Sequence, residues 1–165
     1  MTILIPAPGV TALIREATVF GARDLETGGF LLAQRADPSG AHTTVTAVAL
    51  AGDAGVVRDR DLFQISERAL DRIFTFADDQ GLWIPALLHS HRASAFLSAT
   101  DQRYGLGADG FVSAVIPEYS SPPRNLARWG WWRFESGRWR GAAPGRTAAG
   151  TVEVLRFDEG GIHVA

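Results

Sequence analysis

The chain of 165 residues contains no cysteine and no lysine. Without cysteine, neither a disulfide framework nor thiol catalysis is open to it, so a metal centre must be built from imidazole and carboxylate. All sixteen basic residues are arginine, which coding bias in an Ala/Gly/Arg-rich chain accounts for. Long apolar runs are missing as well. None approaches the roughly 20 residues that cross a bilayer, and Met1-Thr2-Ile3-Leu4-Ile5-Pro6 lacks the charged-then-apolar layout of a secretory leader. A cytoplasmic protein with no membrane partner is expected. Charge of either sign is not in excess: a net charge of −2 gives no global steering toward nucleic acid. The remainder, 46% hydrophobic and 21% charged, is the composition of a globular domain. One domain over residues 1–165 is expected, with its core to about residue 140 and a C-terminal β extension over 141–165.

Along the chain, residues 3–5 read as a short edge strand ended by Pro6. From Val10 the apolar residues Val10, Leu13, Ile14, Ala17 and Phe20 fall on one helical stripe, with Gly21 as its C-terminal cap. Residues 29–34 and 43–50 read as strands, joined into a hairpin by the turn chemistry of Asp37-Pro38-Ser39-Gly40. The polar, glycine-containing stretch 52–60 reads as a loop. Ser66 is an N-cap for a helix carrying Ala69, Leu70, Ile73, Phe74 and Ala77 on one side, ended by Gly81. Residues 82–88 are nearly continuously apolar, as in a strand covered on both faces. Pro85, unable to donate to a ladder, marks an edge or a bulge there.

A short helix over 98–106, a strand over 111–116, a loop over 117–128 and a hairpin over 129–140 follow. A small-residue linker over 141–150 then leads to a last hairpin, 152–157 with 162–164, around Gly160-Gly161. Trp129, Trp131, Trp132 and Trp139, interleaved with arginines, suit a nucleic-acid stacking platform. They suit better a hairpin with one aromatic face packed inward, so no nucleic-acid partner is expected. Helices separated by strands around one sheet predict an α/β fold: a mixed β-sheet flanked by helices, with an extra C-terminal β-hairpin region.

The chemistry concentrates at His89-Ser90-His91, which follows the apolar strand and precedes Ser98-Ala99-Thr100-Asp101. Residues i and i+2 of a strand point to one face, so His89 and His91 can present their rings to one point. A catalytic zinc takes three nitrogen or oxygen ligands and leaves a fourth position to water; His89, His91 and Asp101 fit that count. A lone His-x-His would suit two polar residues bonding backbone at a strand end. Two of the four histidines in one tripeptide, with Ser-x-x-Asp downstream, favour metal. Ser-x-x-Asp is also close to a helix capping box, and both readings can hold, since a capped first turn fixes the carboxylate that faces the metal. Glu26 by itself reads as a solvated turn glutamate before a glycine pair; beside a zinc site it is the natural general base.

His-Ser-His, a short spacer and Ser-x-x-Asp resemble the signature of the JAMM (JAB, MPN-plus) zinc metalloproteases, which remove ubiquitin and ubiquitin-like proteins from their conjugates. That family also places a glutamate upstream, at the start of an apolar strand with paired glycines, and Glu26-Thr27-Gly28-Gly29-Phe30-Leu31-Leu32 looks like that segment. The resemblance covers about residues 10–116. The chain departs from the pattern in three places: the spacer between His91 and Ser98 is six residues, one short; Arg92 stands where a proline is usual; and Ala33 replaces a glycine. The resemblance implies a JAB/MPN-like fold, a cytidine-deaminase-like sandwich. It implies Zn2+ on His89, His91 and Asp101, with Glu26 as catalytic base and Ser98 helping to hold the oxyanion.

The implied activity is that of a deubiquitinase-like isopeptidase or peptidase, with a ubiquitin-like protein or its conjugate as partner, cleaved at its C-terminal tail. A bacterial setting, antiviral conjugation or sulfur-carrier processing, fits the family. The alternatives are a zinc peptidase in sulfur-carrier maturation or on small peptides, and an inactive MPN-type scaffold, against which the full set Glu26, His89, His91, Ser98 and Asp101 argues. Thr27 and Ser90 are expected to be structural. The substrate tail is expected to lie extended along a sheet edge beside the zinc, flanked by Pro85 and by loops 52–60 and 117–128. In this setting the absence of lysine has a second reading: an enzyme beside a lysine-conjugating machinery gains from offering no acceptor amine.

Overall fold

Strands with apolar side chains on both faces need cover on both faces, and two segments here are of that kind: 28–34 and 82–90, buried almost throughout. They lie side by side at the middle of a mixed, ten-stranded, curled sheet in the computed structural model, which describes residues 1–34 and 40–165. The turn expected at Asp37-Pro38-Ser39-Gly40 falls, except for Gly40, outside the described residues.

In chain order the elements are β1 (Thr2–Pro6), α1 (Ala7–Gly21), β2 (Gly28–Gln34), β3 (His42–Ala51), β4 (Val56–Asp59), β5 (Leu62–Ile65), α2 (Glu67–Asp79) and β6 (Leu82–Ser90). They continue as α3 (Ala99–Tyr104), β7 (Val112–Ile116), a 3-10 turn (Leu126–Arg128), β8 (Gly130–Glu135), β9 (Arg138–Gly141), β10 (Arg146–Ala148), β11 (Glu153–Asp158) and β12 (Gly161–Val164). The sheet runs β10-β1-β3-β2-β6-β7-β8-β9, with β11 alongside β3 and β12 alongside β11; β4 and β5 make a separate hairpin. β2 is antiparallel to β3 and β6, whereas β6 and β7 are parallel.

Period-2 alternation sorts the core into two layers. Leu31, Ala86, Leu88, Val112 and Ile116 pack with Val10, Leu13 and Ala17 of α1. Phe30, Leu32, Ala49 and Phe157 pack with Ile73 and Ala77 of α2. The fold is therefore α/β, a mixed sheet with a helix on either face. No helix among the described residues is long and apolar enough to cross a membrane.

Several boundaries differ from the sequence expectation for identifiable reasons. β1 is an interior strand, paired with β3 on one side and β10 on the other. α1 begins three residues before Val10, because Pro8 lies in the first turn, where its missing N–H costs no hydrogen bond. Gly21 is the last residue of α1 and Ala22 caps it; the glycine is required by packing, since a Cβ there would lie 2.5 Å from Tyr119 O. The stretch 52–60 contains β4, and the expected linker 141–150 contains β10, a strand of three residues parallel to β1. Pro85 does mark a bulge, where the β2–β6 register shifts, but in an interior strand and not at an edge. The hairpin at β8–β9 turns through Ser136 and Gly137, both at positive φ (49° and 79°), the paired geometry of a two-residue hairpin loop. In it Trp129 and Trp131 stack inward at 6.2 Å.

The C-terminal segment adds strands to the sheet and ends, as expected, in the β11–β12 hairpin. β11 continues the sheet along Ala47–Ala51 of β3, where β1 has already left it, and β10 extends the sheet beyond β1.

Candidate metal centre

His89 is the penultimate residue of β6 and points to the α2 side, beside Leu87; Ser90 points to the α1 side. His91 lies one residue past the strand, yet its backbone continues the ladder: its N–H donates to Ile116 O at 2.8 Å and its carbonyl accepts from Tyr119 N at 3.0 Å. The i, i+2 relation is thereby preserved, and the two rings lie 4.9 Å apart, both buried. Asp101 arrives from α3. Its N–H donates to Ser98 Oγ at 3.0 Å while Ser98 N donates to Asp101 Oδ2 at 2.8 Å, a complete capping box. The six-residue spacer is long enough for this carboxylate to reach both imidazoles.

Three side chains form a triangle, closed by the two different oxygens of one carboxylate. His89 Nε2 and His91 Nε2 are 3.1 Å apart, Asp101 Oδ1 is 3.1 Å from the first and Asp101 Oδ2 is 3.2 Å from the second. Bonds of about 2.0 Å to a tetrahedral ion put neighbouring ligand atoms about 3.3 Å apart, so each of these contacts has the spacing of neighbouring ligands in such a site. On the other ring nitrogen, His91 Nδ1 lies 3.3 Å from Ser94 O, an acceptor that would orient the ring with Nε2 free to ligate.

Glu26 stands at the edge of this triangle, its Oε1 3.8 Å from His91 Nε2. The ligand atoms of Glu26, His89 and His91 lie within 4.8 Å of one another, and this buried group can hold a metal ion. Of the two carboxylates, Asp101 touches both imidazoles and Glu26 approaches one. Their protonation differs accordingly. Burial opposes ionisation of Asp101, but hydrogen bonds with His89 and His91 outweigh it and hold the carboxyl well below its usual range. Burial, with the Asp101 and Asp61 carboxylates adding to it, pushes Glu26 up to about 9. One group is an anion and its neighbour a proton carrier, a division that suits acid–base chemistry.

No model of a known protein family matches the chain, and no curated protein matches it. Solved structures do. A protein of Desulfitobacterium hafniense determined in solution is similar over 93% of this chain and 95% of its own, at 17% identity and a TM-score of 0.63. One from Salinibacter ruber is similar over 88% and 91%, at 20% identity and a TM-score of 0.58. At these identities the likeness is one of fold alone.

Glu26 is placed by its neighbours on both sides. Its N–H donates to Asp59 O at 2.9 Å. Thr27 is gripped by Ser90, whose N–H donates to Thr27 O at 2.8 Å and whose Oγ accepts from Thr27 N at 2.9 Å. Thr27 and Ser90, expected to be structural, are thus the brace that holds the Glu26 segment beside the histidines. The glycine pair has a steric cause: a Cβ on Gly28 would collide with Leu88 O and one on Gly29 with Ala49 O. Arg92 turns toward Asp24, its Nε 3.7 Å from Oδ1.

Ser98, Glu26 and His91 line one cleft of about 360 Å³ together with Asp61, Arg92 and Phe96. Because Ser98 Oγ accepts from Asp101 N, its own hydrogen is free to be donated into that cleft. On the α2 side a trough of about 680 Å³, lined by Phe30, Val56, Phe63, Ile65, Leu70 and Leu87, runs below the β4–β5 hairpin. Phe63 and Leu87 also wall a gap of about 40 Å³ at His89 and Asp101, closed by Gly105 and Trp139. Gly55, Val56 and Val57 of stretch 52–60 line the trough, whereas Pro85 and loop 117–128 are in the lining of neither cavity. Asp61, Phe96 and Trp139 were not foreseen as neighbours of the site, since each comes from a separate segment with no motif of its own.

Proposed function

We propose that the chain is a zinc-dependent peptidase or isopeptidase of the JAMM type, hydrolysing the bond at the end of the C-terminal tail of a ubiquitin-like protein. The observation that carries this reading is the convergence of His89, His91 and Asp101 at the spacing of neighbouring zinc ligands, with a second, proton-holding carboxyl beside them. Bound there, zinc supplies Lewis acidity and lowers the pKa of its water from 15.7 to about 7. Glu26, which a cation held by His89, His91 and Asp101 would favour as the anion, would take a proton at Oε1 and return it to the leaving amine. Ser98 Oγ–H, held in place by the capping box, donates to the oxyanion that develops on the attacked carbonyl. The tail lies extended beneath the β4–β5 hairpin, where β5 pairs only with β4 among the described residues and leaves its other edge for main-chain hydrogen bonds. Its apolar side chains occupy the trough, and the narrow gap beside His89 admits a tail end of small residues only.

The test is elemental analysis of gently purified protein together with hydrolysis of a ubiquitin-like fusion protein. One zinc per chain is expected, with hydrolysis lost on chelation and regained on adding zinc. Protein that neither carries a metal nor takes up zinc would sink the reading.

A further inference from the structure

Arg58 is a buried cation that no step above uses. Its side chain is 7% exposed, and its ion-pair partner Asp53, at 3.5 Å, is 96% exposed. The guanidinium bonds are made to neutral oxygens: Nε donates to Thr27 Oγ1 at 3.1 Å, Nη1 to Gly52 O at 2.9 Å and Nη2 to Ala51 O at 2.7 Å. Its far face lies 4.1 Å from the Phe20 ring centroid. Burial disfavours the guanidinium charge, and the Glu16 and Asp53 carboxylates, neither hydrogen-bonded to it, offset that only in part; an aliphatic side chain would fill the space without that cost. What only the fork of donors achieves is to tie three segments together: the end of β3, the β4 strand that carries Arg58, and Thr27.

Thr27 is the residue after Glu26, and Glu26 N–H is itself bonded to Asp59, the residue after Arg58. β4 therefore holds the Glu26 segment at two adjacent points, one of them the Arg58 side chain. We propose that Arg58 is a positioning residue for Glu26, locking through Thr27 Oγ1 the hairpin that walls the groove to the segment that carries the carboxyl. Substrate wall and proton carrier then keep one geometry when the groove fills. The inference rests on the role of Glu26 given above.

The test compares Arg58→Met, which fills the volume without donors, with Thr27→Val, which removes only the oxygen, alone and combined with Glu26→Gln. On a ubiquitin-like fusion, each single variant of the zinc-loaded protein should lose about tenfold or more in kcat with little change in KM, as misplacement of a reacting group does. The Arg58→Met, Thr27→Val double variant should lose no more than Arg58→Met alone, and Arg58→Met should cost nothing further once Glu26 is glutamine. Full loss in the Glu26→Gln background, or losses that multiply between Arg58→Met and Thr27→Val, would overturn the assignment, because a merely structural residue acts independently of Glu26. Should the wild type hydrolyse nothing, the proposed function fails, and the brace is read in metal-free protein by amide exchange. Arg58→Met and Thr27→Val should then each speed exchange of the Glu26 N–H at least tenfold relative to that of Leu88. Equal protection in variant and wild type removes Arg58 from the role, and Thr27→Val keeps the question open to measurement if Arg58→Met does not fold.

Discussion

Glu26→Gln keeps the size of a side chain that is 4% exposed and removes its titration. Folding raises the Glu26 carboxyl from an ordinary value of 4.5 to about 9, through burial and the Asp101 and Asp61 carboxylates. Below pH 4.5 the carboxyl is protonated in both the folded and the unfolded chain, and its contribution to stability is fully present. Above that pH the unfolded chain releases the proton while the folded chain keeps it, so stability falls as pH rises, until the folded carboxyl itself ionises near 9. The fall is about 1.4 kcal/mol per pH unit, which between 4.5 and 7 amounts to about 3 kcal/mol out of the 5–15 kcal/mol typical of a domain.

Glutamine carries no such slope. Metal-free Glu26→Gln is expected to match the wild type near pH 4.5 and to exceed its stability by about 3 kcal/mol at pH 7. Urea unfolding of chelator-treated protein across this interval measures the difference, and zinc should shrink it by favouring the carboxylate. Asp101, held low by His89 and His91, contributes stability that is lost as pH falls below its ordinary range, but equally in both proteins. In the zinc-loaded state turnover of Glu26→Gln should fall by about 10²-fold or more at unchanged zinc content. Parallel stability curves would refute the buried, protonated carboxyl; wild-type turnover would remove Glu26 from the mechanism.

His89→Ala and Asp101→Ala each leave two members of the triangle, so metal content by elemental analysis should drop to background and hydrolysis with it. Ser98→Ala removes both the cap of α3 and the donor to the oxyanion. About 0.5–2 kcal/mol of stability and about 10²-fold in turnover should be lost together, and Ser98→Thr should recover most of both. Gly29→Ala forces a Cβ against the Ala49 carbonyl in the middle of the sheet; a loss of about 1–3 kcal/mol or more in urea unfolding is expected, and an unchanged midpoint would show that β2 and β3 can separate there without cost.

What the sequence by itself determined is what local periodicity and local capping determine. The stripes of α1 and α2, the caps Ser66 and Ser98, the two-faced apolar strands and the turn at Ser136-Gly137 all depend on residues within a few positions of one another. So does the common direction of His89 and His91, which follows from the strand period alone. β4 and β10 escaped because four and three residues show no periodicity; each exists through its partner, β10 by pairing with a β1 that lies some 140 residues away in the chain. Only the tertiary structure decided that Gly28 pairs with His89, and that register is what carries Glu26 to the histidines. The same holds for Arg58 on Thr27, for Trp139 closing the gap at Asp101, and for the protonation of Glu26. Each of these depends on burial and on charges from distant segments, which are set by packing and not by the order of residues around the group itself.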